Sequence, residues 1–135
     1  SGVPKYYTKP GMPKRRMLYN FDNARHWPFV VVVEGVTSVW RIGGPAVALL
    51  GKTLSPRQQQ LLEDYWPGKP VFLMLDSDAV EESEGILAEM GRAGRVQLIS
   101  TQLPAGTDPD NFEHEALVAM LCGRARQFGI ELSPW

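Results

Sequence analysis

The acidic residues that could do chemistry in this 135-residue chain fall at three places. Glu34 closes the apolar run that starts at Phe29. Asp76 and Asp78 close the run that starts at Val71, and Asp108 and Asp110 stand in the loop Leu103 to Asn111. The first two runs are too short for a membrane span and rich in large aliphatic residues, and each stops at a carboxylate. They read as buried parallel strands. Ligands of open α/β sheets bind outside the carboxyl ends of the strands, which sends Glu34, Asp76 and Asp78 toward one crevice. Neighbouring strands lie about 4.8 Å apart, close enough for carboxylates from two strands to share a cation. Side chains two apart in a strand share a face, so Asp-x-Asp can aim both acids at one site. Hard divalent cations take oxygen ligands, and magnesium uses one or two carboxylates with waters and substrate phosphates. Five carboxylates in three loops suit two cations of the kind that stabilise attacking and leaving oxygens in phosphoryl transfer.

Each place also has a purely structural reading. Glu34 can cap the helix that follows it. Asp78 can be an N-cap with Glu81 three residues on, and Asp108-Pro109-Asp110 can be a turn followed by a cap. The three together, at one edge of a sheet, favour the cation. Glu81, Glu82 and Glu84 read instead as the solvated, dipole-favoured start of a helix. Lys52, after the second strand, stands where it can meet a nucleotide phosphate or pair with the crevice carboxylates. His26 and His114 are expected to be surface or packing residues, and Gly43-Gly44 lacks the lysine ending of a phosphate loop.

The elements that must position these groups follow from local patterns. Strands are expected over Phe29 to Glu34, Ala46 to Leu50, Val71 to Asp76 and Arg95 to Ser100. Helices are expected over Val36 to Ile42, from Pro56 to Tyr65, from about Ala79 to Gly91 and from about Asn111 to Phe128. The helix at Pro56 has agreeing start signals: Ser55 as N-cap, Pro56 at the first position and Gln58 closing a capping box. Alternating strands and helices make a compact α/β domain, with a central, mostly parallel four-stranded sheet flanked by helices, over residues 29–135.

Residues 1–28 read as an irregular basic arm with four prolines and at most a short helix around Leu18 to Arg25. The arm carries six basic residues against Asp22, whereas the remainder has eight basic and fourteen acidic residues. Such an asymmetry suits a polyanion on one side and cations on the other. Tyr6, Tyr7 and Tyr19 interleave with Lys5, Lys9, Lys14, Arg15 and Arg16, which suits stacked bases and paired phosphates of single-stranded nucleic acid, or tyrosines packed on the body. The composition, 44% hydrophobic and 21% charged, is that of an ordinary globular protein. The single cysteine, Cys122, excludes an internal disulfide and reads as a small buried helix residue. No apolar run is long enough for a membrane helix, and a cytoplasmic protein is expected.

Glu34-Gly35, Asp76-Ser77-Asp78 and Asp108-Pro109-Asp110, in that order, resemble the motifs of a Toprim domain. This metal-binding module is shared by bacterial-type primases, type IA and type II topoisomerases and several nucleases. The stretches VVEG, ALLGKTLSPRQ (Ala48 to Gln58), LDSD and LPAGTDPDNF (Leu103 to Phe112) are most similar to successive motifs of bacterial and phage primases. Pro4-Lys5-Tyr6 and KRRMLY (Lys14 to Tyr19) resemble the end of the subdomain that precedes the module there. The sequence departs from the family at Asp78, followed by Ala79-Val80-Glu81-Glu82 rather than closely by Ala-Gly. Lys52 stands where many members have threonine, and the arm is shortened between Pro10 and Lys14.

The resemblance implies template-directed synthesis of short RNA primers on single-stranded DNA for replication, a nucleotidyl transfer from nucleoside triphosphates using magnesium or manganese. It implies that Glu34, Asp76 and Asp78 hold the catalytic metal. Asp108 and Asp110 would support a second metal or the incoming nucleotide. Lys5, with Lys14, Arg15, Arg16 and Lys52, would face nucleic acid or nucleotide. A replicative helicase is a partner through other domains. Family members carry an upstream zinc-binding domain and more of a basic half, so this is a catalytic module that can be inactive alone. Two other functions remain open at this point: Toprim-type phosphodiester cleavage, as in nucleases and topoisomerases, and a degenerate module that only binds nucleotide or a protein.

Overall fold

The computed structural model describes residues 17–135. Lys5, Lys14, Arg15 and Arg16, the basic residues expected to face nucleic acid, lie outside the described residues. Among the described residues no helix is long and apolar enough to cross a membrane.

The β-branched run after Phe29 forms β1 (Val30–Val33), with every residue buried. Valine suits a pleated strand covered on both faces. β1 pairs in parallel with β2 (Ala46–Ala48) on one side and β3 (Pro70–Leu73) on the other, and β4 (Gln97–Ser100) pairs in parallel with β3. The order β2-β1-β3-β4 makes an all-parallel four-stranded sheet with β1 and β3 at its centre. β1 ends with its apolar run at Val33, whereas β3 ends two residues before its own run does. Met74 N–H still bonds to the Val32 carbonyl, 2.9 Å away, and Leu75 is buried, but neither belongs to a regular strand.

Alternation along β1 divides the core in two. Val30 and Val32 face a cluster with Leu62 and Trp66 from the region of α3 (Pro56–Tyr65) and Ile86 and Met90 of α4 (Val80–Ala93). Val31 and Val33 face Val39 and Ile42 of α2 (Val36–Ile42) and Leu117 and Leu121 of α5 (His114–Arg126). The C-terminal segment packs Ile130, Leu132 and Trp135 on the second cluster.

The capping box of α3 forms as its sequence predicts, with Ser55 Oγ accepting from Gln58 N–H and Gln58 Oε1 from Ser55 N–H. Gln58 is also buried, and its Nε2 donates to the carbonyls of Met17 and Leu49. A fully paired buried amide of this kind ties three segments together.

Residues 17–28, assigned to the arm by composition, pack on the domain. α1 (Phe21–Ala24) is preceded by an antiparallel bridge between Tyr19 and Ala48, which lies along the outer edge of β2. Tyr19 Oη also accepts a hydrogen bond from Trp40 Nε1. Of the two roles open to this tyrosine, packing on the body is the one the structure displays.

Candidate metal centre

The parallel pairing of β1 with β3 brings Glu34 next to Asp76, 42 positions later in the chain. Glu34 Oε2 accepts a 2.8 Å hydrogen bond from the Asp76 N–H. Glu34 does not cap α2, whose N-cap is Gly35, and Asp78 does not cap α4, whose N-cap is Ala79. Oxygens of Glu34, Asp76 and Asp78 all come within 4.8 Å of one another. β3 ends at Leu73, so Asp76 and Asp78 are brought together by a turn, closed by Ala79 N–H on the Asp76 carbonyl, rather than by strand alternation.

Burial raises the Glu34 carboxyl above the ordinary range; the Asp76 N–H works against this, and the Asp76 charge adds to it. Asp76 is raised by burial first, then by the charges of Asp108 and Asp78. Carboxylates that repel at short range and are partly removed from water suit a hard divalent cation. The donor set therefore fits magnesium or manganese chemically.

Lys52 supplies the nearest positive charge. Its Nζ lies 3.3 Å from Asp78 Oδ2, with the side chains 45% and 72% exposed, so the contact is a screened surface pair. The Asp78 carboxylate raises the Lys52 ammonium above its usual range. Of the two roles open to Lys52, partnership with the carboxylates is the one displayed. The turn that delivers it passes through Leu50 in the left-handed region (φ 62°), held by Leu50 N–H on the Glu34 carbonyl at 2.8 Å. A non-glycine residue there costs on the order of 1 kcal/mol.

Asp108 and Asp110 line the same crevice, of about 290 Å³, as Glu34 and Asp76. They lie outside the three-carboxylate group. Asp108 accepts from Asp110 N–H at 2.9 Å and caps a 3₁₀ turn over Pro109–Asn111, so its capping reading holds. Asp110 accepts from Thr37 Oγ1 at 2.6 Å and Ser38 Oγ at 3.2 Å. Thr37, Ser38, Ser77 and Thr107 were not singled out in the sequence, where isolated hydroxyl residues next to acidic motifs carry no distinctive pattern. His114 and His26 stay out of the crevice. His114 joins the Arg41 and Trp135 carbonyls, a packing role.

A parallel sheet ordered β2-β1-β3-β4, with Glu-Gly after one central strand and Asp-x-Asp after the other, defines a Toprim-type α/β domain. No family model matches the chain. Over 132 residues, 86% of this chain, it is 33% identical to the DNA primase of Synechococcus elongatus. The DnaG catalytic core matches with a TM-score of 0.68 at 28% identity, over 84% of this chain and 41% of that one. A DNA primase domain from Pseudomonas aeruginosa matches with a TM-score of 0.61 at 26% identity, over 88% of this chain and 40% of that one. The zinc-binding and RNA polymerase domains of the Aquifex aeolicus primase share the fold, with a TM-score of 0.71 at 24% identity over 94% of this chain and 38% of that one. By sequence and fold together, the chain is similar to the Toprim-type catalytic cores of bacterial DNA primases. It spans 19% of the length of the curated relative it matches.

Proposed function

We propose that this chain is the cation-binding, nucleotidyl-transfer module of a DNA primase that makes short RNA primers on single-stranded DNA. The observation that carries the reading is the convergence of Glu34, Asp76 and Asp78 at the carboxyl ends of β1 and β3. Similarity to the Synechococcus elongatus primase supports it, and a DnaG primase catalytic domain bound to single-stranded DNA shares the fold. The relatives favour primer synthesis over phosphodiester cleavage.

In this reading Glu34, Asp76 and Asp78 hold magnesium or manganese, which supplies charge neutralisation where a 3′-hydroxyl displaces pyrophosphate from a nucleoside triphosphate. Glu34 is oriented by the Asp76 N–H. Lys52 screens Asp78 until a cation arrives and is then free to face a triphosphate. Asp108 shapes the turn and adds negative potential to Asp76. Residues 1–28, with Lys5, Lys14, Arg15 and Arg16, form the end of the preceding subdomain and track the template backbone. Residues 29–135 form the catalytic domain. The whole protein works in the cytoplasm and meets its helicase through other regions.

The test is Mn2+ binding to this chain, followed by electron paramagnetic resonance, beside primer synthesis by the chain exchanged into the matching segment of the Synechococcus elongatus primase. Asp76→Asn/Asp78→Asn is expected to weaken Mn2+ by more than about tenfold, since loss of a ligand charge costs more than about 1.4 kcal/mol. The same variant is expected to abolish primers. A wild-type chain that binds no Mn2+ and makes no primers in the exchange refutes the reading.

A further inference from the structure

The loops of the crevice close into a ring. Glu34 and Asp76 are joined by the bond from the Asp76 N–H. One residue on, Ser77 N–H donates to the Thr107 carbonyl and Thr107 N–H donates to Ser77 Oγ, both at 3.0 Å. Three residues further, Asp110 accepts the hydroxyls of Thr37 and Ser38, the second and third residues of α2, which begins directly after Glu34-Gly35. Ser38 is buried, 6% exposed, so without Asp110 its hydroxyl would lose a partner away from water.

Asp110 is itself held rigidly. Its N–H is bonded to Asp108 Oδ1, Asp108 N–H to Asn111 Oδ1, and Pro109 between them is buried. Each Asp110 oxygen faces one hydroxyl, and neither belongs to the group of oxygens formed by Glu34, Asp76 and Asp78.

We propose that Asp110 is a positioning residue: through the Thr37 and Ser38 hydroxyls it holds the start of α2, and with it Glu34, in register with the Asp76 loop, and it is not itself a ligand of the cation. The inference rests on the cation site described above but concerns only how this chain holds it. Thr37 and Ser38 matter here because they offer hydroxyls at consecutive positions to the two oxygens of one carboxylate.

The experiment compares Asp110→Ala, Asp110→Asn, Thr37→Val/Ser38→Ala and the triple variant Thr37→Val/Ser38→Ala/Asp110→Ala. The first readout is hydrogen exchange of the Asp76 amide by nuclear magnetic resonance in metal-free buffer, because that amide is protected by Glu34. Asp110→Ala and the hydroxyl variant are each expected to speed its exchange about five- to tenfold. Asp110→Asn, which can still accept from one hydroxyl and donate to the other, is expected to stay within about twofold of wild type. The triple variant is expected to exchange no faster than Asp110→Ala, since both sever the same link. If the double hydroxyl variant fails to fold, Thr37→Val at its exposed position carries the comparison, with an increase of about two- to threefold.

The second readout is Mn2+ affinity, expected to fall about three- to fivefold in the same variants and to be retained in Asp110→Asn. Asp110→Asn losing Mn2+ as severely as Asp110→Ala would make Asp110 a ligand and overturn the proposal. Unchanged Asp76 exchange in the hydroxyl variants would overturn it equally. A wild-type chain that binds no Mn2+ counts against the functional reading alone, because the exchange measurement then decides the positioning role.

Discussion

At the amino-terminal end of the sheet, Phe29 packs edge to face on Trp27 and Phe72, with ring centroids 5.9 Å apart in each case. Trp135 lies 5.2 Å from Phe29, and its indole N–H donates to the Ile42 carbonyl. At the carboxyl end, Glu34, Asp76 and Asp78 converge, and among the described residues the exposed Lys52 is the cation paired with them. The first end is held by apolar contact and satisfied polar groups, both of which stabilise the chain by themselves. The second brings like charges together and favours folding fully only when a cation joins it. Packing at one end of the strands lets the other end remain electrostatically incomplete, and an incomplete end is what a cation-dependent site requires.

The comparison can be broken most severely at Gly44. A Cβ there would lie 2.8 Å from the Trp27 indole ring, inside any tolerable contact. Gly44→Ala is expected to lower the melting temperature by about 5–10 °C, the effect of overpacking in a chain of this size. Its Mn2+ affinity at low temperature should match wild type. A loss below about 2 °C would mean that the aromatic end tolerates repacking and does not anchor the sheet.

Glu34→Gln tests the opposite end. The amide still accepts from the Asp76 N–H but removes one of the repelling charges. Without divalent cations at neutral pH, the melting temperature is expected to rise by about 1–3 °C. The further rise produced by Mn2+ in wild type should vanish. A variant less stable than wild type in metal-free buffer would show that repulsion does not dominate this end.

His114 sharpens the contrast through pH. Its two ring nitrogens face carbonyl oxygens, Trp135 at 2.7 Å and Arg41 at 2.8 Å, so both contacts are hydrogen bonds only in the imidazolium. The Trp135 carbonyl first, and then the Arg41 carbonyl, raise its pKa above the ordinary value. The folded chain thus holds this proton more tightly than the unfolded chain. The stabilisation is fully present below the ordinary histidine pKa of about 6.5 and is lost as pH rises through the raised value. His114→Gln is expected to cost about 2–4 °C at pH 5.5 and about 1 °C or less at pH 9. Equal losses at both values would mean that the ring only fills space.

The smallest effect is expected at Lys52. Lys52→Met removes an exposed charge that competes with a cation for Asp78, and Mn2+ should bind about two- to threefold tighter. Weaker binding would assign Lys52 a supporting rather than a competing role in the metal-free site.

Much of the fold was legible locally. The valine run, the Ser55-Pro56-Gln58 start of α3 and the acids at strand ends each carry their own conformational chemistry within a few residues. The paired acids were legible for the same reason, since Glu34 and Asp76 directly follow buried apolar runs and Asp78 stands two residues further on. The division of labour among the five carboxylates was not legible, because capping and cation binding use the same residue types. Asp108 caps a 3₁₀ turn, and Asp110 faces hydroxyls 73 and 72 positions earlier in the chain.

The sequence by itself determined where strands and helices form and that acids stand at their ends, because these depend on side-chain shape, periodicity and capping over short spans. Only the tertiary structure decided which acids meet. The order β2-β1-β3-β4 sets β1 beside β3 and so Glu34 beside Asp76, and a turn beyond β3 adds Asp78. Distances between residues far apart in the chain follow from strand pairing and loop closure, and no local pattern encodes them.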